Sequence, residues 1–431
     1  MDLSPRHRIP LRIPPPWEAL LHGCLQAGAL WLHSGDQKES LLAWTGPQLT
    51  SHWEGAHWVS RLDGEVQAQS PWLALEAALP TQAGPWIGAA TFELACDEAG
   101  LPRKALPSGQ LGQHWAAVQD ALHWKDGGLE WLSWAADPPD PREWTARLAL
   151  AAAPPAGPRS RPRLSLTPVW DHGTHREAVA HIQSRILEGG FYVANLCVPF
   201  QGSLQETVEH LALRALKRAR PPFGALLNLE GTSLLSLSME RLLARRGDHL
   251  WSQPIKGSTP LTGDTERDQK AARSLSADPK ERAEHTMILD LVRNDLGRVA
   301  LPGSVRVSQS MAVVPYPTVQ HLVSRVEAQA RPGLGLAELL RAVLPGGSVT
   351  GAPKQAVCGH LAAAEAAPRG FYCGALGWIS RHGDLDLALP IRTAQIQGDR
   401  LTYWTGGGIT LLSDPEREWE ELFLKTRAIT G

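Results

Sequence analysis

Through the first 135 residues, apolar positions come in short blocks separated by Gly and Pro. GALWLHSG, SLLAWTG and GPWIGAATFEL read as strands of this kind. Beyond residue 168 the periodicity sharpens. Ala178, Val179, Ile182 and Ile186 recur at helical spacing, with Thr174 and Glu177 forming a capping box ahead of them. Gly189-Gly190 ends that helix. FYVANLCVPF, rich in β-branched and aromatic residues, predicts a strand, and residues 225–229 and 233–237 predict a strand pair. Later helices and strands alternate without a βαβ rhythm, and no internal repeat is visible. The pattern predicts an α+β fold with large antiparallel or mixed sheets flanked by helices. Residues 136–168, rich in Pro and Ala, read as a linker between an N-terminal region, 1–135, and a larger region, 169–431.

Composition narrows the class. The 431 residues are 43% hydrophobic and 20% charged, as in a soluble globular protein. A net charge of −2 leaves no electrostatic footprint for nucleic acid. No apolar run approaches the roughly 18 residues of a membrane span. Prolines break the N-terminal segment, which argues against a secretory signal. Cys24, Cys96, Cys197, Cys358 and Cys373 are odd in number and scattered, so a reducing cytoplasm is expected. The 17 tryptophans are spread along the chain and are predicted to fill core and half-buried positions.

Candidate chemistry comes from a few positions. Only nine of the 42 basic residues are lysines, and one of them, Lys256, lies between Pro254 and Gly257. A lysine there is expected on a fixed turn, and lysine, unlike arginine, can become a nucleophile. Glu281 and Glu284 share one helix face beside an apolar stripe, and Glu418 and Glu421 repeat the spacing, with Lys425 one turn on. Such carboxylates suit Mg²⁺, though each pair alone is equally an acidic surface face. LPGGSVTGAPK fails as a phosphate loop, because Ala352-Pro353 stand where lysine is required; Ser348 and Thr350 remain candidates for holding a carboxylate. Gly406, Gly407 and Gly408 form a second glycine segment, either a ligand cradle or a tight turn. Arg392 is charged within a strand-like run and suits carboxylate binding. Glu240 and His321 read alone as a strand-end carboxylate and a core histidine. Cys358 and His360 lack the partners of a zinc set.

Taken in order, SLSMER, PIKGS, AEHTMILDLVRNDLGRV, PGSVRV, VQHLVSRV, GGSVTGAPK, GFYCGALGWI, IRTA and GGGIT…SDPEREWEE resemble the chorismate-utilising enzymes. That family includes anthranilate synthase component I, aminodeoxychorismate synthase component I, isochorismate synthase and salicylate synthase. The resemblance runs from Thr174 to Ala428. Family members resembling PIAGT are anthranilate synthases; PIKGS here is similar to the PIKGT of the aminodeoxychorismate synthase branch. Ser258 replaces a Thr, Met239 a Pro, and Val193 a Gln or Lys; losing that lysine argues against isochorismate and salicylate synthases.

The resemblance implies Mg²⁺ held by Glu284 and Glu421, with Glu281 and Glu418 acting through water. It implies Glu240 as general acid and Lys256 as covalent nucleophile. It further implies substrate contacts from Ser258, His321, Thr350, Tyr372, Arg392, Gly406, Gly407, Gly408 and Lys425. Chorismate and ammonia would be the substrates, with ammonia from a separate glutamine amidotransferase subunit and 4-amino-4-deoxychorismate as product. The alternatives are anthranilate synthase component I and a non-catalytic homologue.

Overall fold

The structure is a computed structural model that describes residues 5–11, 24–25, 29–33, 39–125, 128–138, 140, 164–316 and 319–431. Most of the expected linker therefore lies outside the described residues. Two long strands, Glu39–Glu54 and Leu111–Lys125, pair along most of their length through several register shifts. Two branches of antiparallel sheet leave this pair. One runs through Leu30–His33, Phe223–Leu229, Thr232–Ser238, Thr393–Gln397, Arg400–Ile409 and Val193–Ser203. The other runs through Trp86–Ala90, Ala375–Ile379, Leu385–Ala388, Arg241–Arg246, His249–Gln253 and Val319–Gln329 to Ile255–Pro260 and Arg306–Pro315. The expected α+β class with antiparallel sheets is what forms. Strands from residues 1–135 are hydrogen-bonded into both branches, so the N-terminal and later segments share sheets.

Burial on both faces explains why these strands read as continuous apolar runs. Leu41, Ala43, Leu227 and Leu234 point into a core shared with Ile87, Ala89, Leu376 and Trp378 of the other branch, so the branches pack face to face. Their neighbours Leu42, Leu226 and Leu235 point the opposite way, beneath Leu211, Ala212, Ala215 and Leu216 of the helix Val208–Ala219. Trp72, Trp86 and Trp115 are fully buried in the largest core, as expected for part of the tryptophan set.

One predicted helix start moves. The helix is His172–Leu187, and Asp171, not Thr174, caps it by accepting a hydrogen bond from the Thr174 amide at 2.8 Å. Asp171 lies in the extended conformation a capping residue needs, which makes Thr174 the third helical residue. Gly189 follows the helix with φ +77°, as the Gly-Gly signal implied.

Candidate active site

The ends of the two sheet branches and the helices Pro279–Gly297 and Pro415–Thr430 enclose a cavity of about 860 Å³. Both helices begin the same way. Asp278 and Asp414 cap them, and Pro279 and Pro415 take the first helical position. These starts hold Glu281, Glu284, Glu418 and Glu421 at the cavity wall, while Leu289, Val292, Leu422 and Ile429, further along the same helices, anchor them in apolar cores.

The acids perturb one another. Burial and the charge of Glu284 raise the Glu281 carboxyl above its ordinary range. Burial and Glu421 raise Glu418, partly offset by a hydrogen bond from Ser413 Oγ at 2.8 Å. Glu421 moves the other way, because Lys425 Nζ lies 2.7 Å from it. Lys425 also donates to the Gly406 carbonyl at 2.6 Å. Among the described residues, no three His, Cys, Asp or Glu side chains are gathered closely enough to hold a metal by themselves. The donor set fits an oxygen-loving ion that takes one or two carboxylates and completes its shell with water and substrate.

Lys256 stands on a strand, Ile255–Pro260, and not on a turn. Gly257, with φ +67°, makes a bulge that shifts the register between Lys256 and Ser258, and both residues face the cavity. Lys256 Nζ lies 3.5 Å from Glu284 Oε2, and Lys280 approaches the same carboxylate at 3.8 Å. Glu240 follows the Thr232–Ser238 strand and is 5% exposed. It accepts a 2.7 Å hydrogen bond from Ser348 Oγ. Burial pushes its carboxyl up to about 7, against the opposing pull of Ser348 and Lys256. This group is a carboxylic acid that keeps much of its proton near neutrality.

His321 is on the strand Val319–Gln329. Its Nδ1 lies 3.0 Å from the Gly257 carbonyl, which can only accept, so Nδ1 carries the proton. Burial and Arg392 lower its pKa to about 4, which leaves the ring neutral. Its Nε2 is buried without a partner. Tyr372 stacks on Trp404 at 6.1 Å and 12°.

Several expectations are corrected. Arg392 lies between the strands Leu385–Ala388 and Thr393–Gln397, not within one, at φ +51°; burial lowers its pKa. Gly406–Gly408 form neither a turn nor a loop: they sit in the strand Arg400–Ile409, opposite Cys197, Leu196 and Asn195. Thr350 is fully buried, donates to the Gly346 carbonyl at 2.9 Å, and is not in the cavity wall; Ser348 is there instead. The difference comes from the short 3₁₀ turn Gly347–Val349, which points residues two apart in different directions. Lys354 pairs with Asp295 at 2.6 Å, so no lysine from this segment is left for a phosphate.

Sequence reasoning missed Lys280, Arg417 and Trp404 on the wall; the i,i+4 spacing of Lys280 and Glu284 was the available signal for the first. It also missed a buried support. Arg369, 1% exposed, pairs with Glu365 at 2.6 Å and donates to the Val349 and Asn195 carbonyls at 2.7 and 2.9 Å. The Arg369 amide in turn binds Glu93 at 2.6 Å. This network ties the Ser348 segment and the Val193–Ser203 strand together behind the cavity.

The chain is similar to known proteins. The chain is 39% identical to aminodeoxychorismate synthase component 1 of Salmonella typhimurium over 63% of its length and 60% of that protein. It is 37% identical to the protein of that name from Escherichia coli, over 62% of this chain and 59% of that one. These matches thus span about three fifths of the relatives' length. Anthranilate synthase component 1 of Thermus thermophilus is 37% identical over 67% of this chain and 64% of that protein. The crystal structure of anthranilate synthase component I from Streptococcus pneumoniae superposes over 100% of this chain and 96% of that one, with a TM-score of 0.78 at 22% identity, which shows the shared fold. The family described as chorismate binding enzyme matches residues 27–431, so the chain belongs to the chorismate binding enzymes.

Proposed function

We propose that the protein is an aminodeoxychorismate synthase component I, which replaces the C4 hydroxyl of chorismate with an amino group. The observation that carries the reading is one cavity holding a candidate amine nucleophile, Lys256, and a buried acid, Glu240, whose pKa is about 7. Lys256 Nζ adds to C2 as the ring double bonds shift. The C4 hydroxyl leaves as water, taking the proton that Glu240 retains near neutrality. Ammonia then adds at C4, the double bonds shift back, and the C2–N bond breaks to return the lysine. The neutral His321 offers its bare Nε2 as an acceptor to the substrate, and Arg392 supplies a buried positive charge for a carboxylate.

Glu281, Glu284, Glu418 and Glu421 would hold Mg²⁺, which when bound would neutralise a substrate carboxylate. All five cysteines are buried, so none is open to glutamine from solvent. Together with the component 1 names of the relatives, this supports a glutamine amidotransferase partner as the source of ammonia. Cytoplasmic placement belongs to the same reading; no helix among the described residues is long and apolar enough to cross a membrane.

Incubation with chorismate, Mg²⁺ and ammonium, followed by chromatography, tests the reading. It predicts 4-amino-4-deoxychorismate; fluorescent anthranilate, formed without an added lyase, would assign the chain to the anthranilate branch.

A further inference from the structure

The pleat of the Arg400–Ile409 strand sends successive side-chain positions to opposite faces. At Gly407 and Gly408 those positions meet charged heads. A Cβ built on Gly408 falls 2.7 Å from Lys256 Nζ, with Val193 Cγ2 at 3.7 Å and Glu284 Oε2 at 4.0 Å. A Cβ built on Gly407 falls 2.8 Å from Glu418 Oε2. Non-bonded heavy atoms pack at about 3.5–4.0 Å, so only Lys256 and Glu418 are too close for an alanine at these two positions.

We propose that Gly408 is a positioning residue for Lys256: its missing side chain forms the seat in which the lysine Nζ rests between the strand and Glu284. Val193 closes the seat with an apolar wall and is itself 4% exposed. Gly407 gives Glu418 the same kind of room. Gly407 and Gly408 therefore make space for the protein's own charged groups. The inference rests on the reading of Lys256 as nucleophile for its catalytic consequence, but the seat itself is a property of the free protein.

Both contacts are with the far ends of flexible side chains, so alanine displaces the head group and leaves the fold in place. Pulsed acylation of the free protein with acetic anhydride, read by peptide mass mapping, reports lysine reactivity. Gly408→Ala should change Lys256 labelling several-fold while Lys280 and Lys425 label at wild-type rates. Gly407→Ala should leave Lys256 unchanged. With chorismate and Mg²⁺, the Lys256 adduct should form about 10²-fold more slowly in Gly408→Ala, the effect of a reacting atom misplaced by about 1 Å.

A thermodynamic cycle gives an independent readout: the melting temperature lost on Gly408→Ala should be recovered in a Lys256→Ala background. Unchanged Lys256 labelling, an equal change in Gly407→Ala, or an absence of coupling between Gly408→Ala and Lys256→Ala would each overturn the seat. If wild-type protein forms no chorismate adduct, the proposed function fails, and the labelling and the cycle still decide the seat.

Discussion

Removing the Ser348 hydroxyl should make the protein work better, relative to wild type, as the pH rises. Ser348 Oγ donates to Glu240 Oε1 at 2.7 Å, and that bond favours the charged carboxylate. Glu240 already sits at about 7 because burial outweighs Ser348, Lys256 and the Ile255 amide. Tyr316 lies near enough to feel the Glu240 charge and is neutral across this range, its own pKa raised mainly by burial. A hydrogen bond to a charged group contributes roughly 1.5–3 kcal/mol. At 1.36 kcal/mol per unit, Ser348→Ala raises the Glu240 pKa by about one to two units.

A general acid must be protonated, so its activity is lost as pH rises through its pKa. The ratio of Ser348→Ala to wild-type rates should therefore grow by about 10- to 50-fold between about pH 6 and 9. The assay is formation of the Lys256 adduct from chorismate and Mg²⁺ without ammonia, by quenched-flow mass spectrometry. Taking the ratio cancels the other titrating groups. A flat or falling ratio would refute Glu240 as the acid that Ser348 tunes.

Two further predictions probe the structure around the site. Thr350→Val should leave chorismate affinity within about two-fold and lower stability by about 1 kcal/mol, because the hydroxyl serves the Gly346 carbonyl and not the cavity; calorimetric titration and chemical denaturation separate the two effects. Arg369→Leu should destabilise the protein by about 3–5 kcal/mol, since it leaves Glu365 buried without its partner; a shift in denaturation midpoint much smaller than this figure requires would contradict the role of the network.

The parts of the site that the sequence revealed are those whose geometry is local. Helical spacing alone puts Glu281 with Glu284, and Glu418 with Glu421, on single faces, and the Asp-Pro starts of both helices fix where those faces begin. Lys256 stood out because lysine is scarce and its neighbours are Pro and Gly. What stayed hidden depends on distant pairing. Gly406–Gly408 become a strand only because residues 195–197 lie alongside, although glycine is a poor strand former. Arg392 leaves the strand at a left-handed position set by the junction of two sheet segments. The choice of Ser348 over Thr350 turns on one 3₁₀ turn. The Arg369 network joins residues up to 276 positions apart, from Glu93 onward, so no short window could show it.

In the proposed chemistry Lys256 is the residue that reacts. Mass spectrometry of intact and digested protein, quenched during turnover of chorismate with Mg²⁺, tests this directly. The predicted result is a mass gain equal to chorismate less one water, confined to the peptide carrying Lys256 and absent from Lys256→Ala. Product formation by Lys256→Ala at the wild-type rate, with no mass gain on the wild-type lysine, would contradict it.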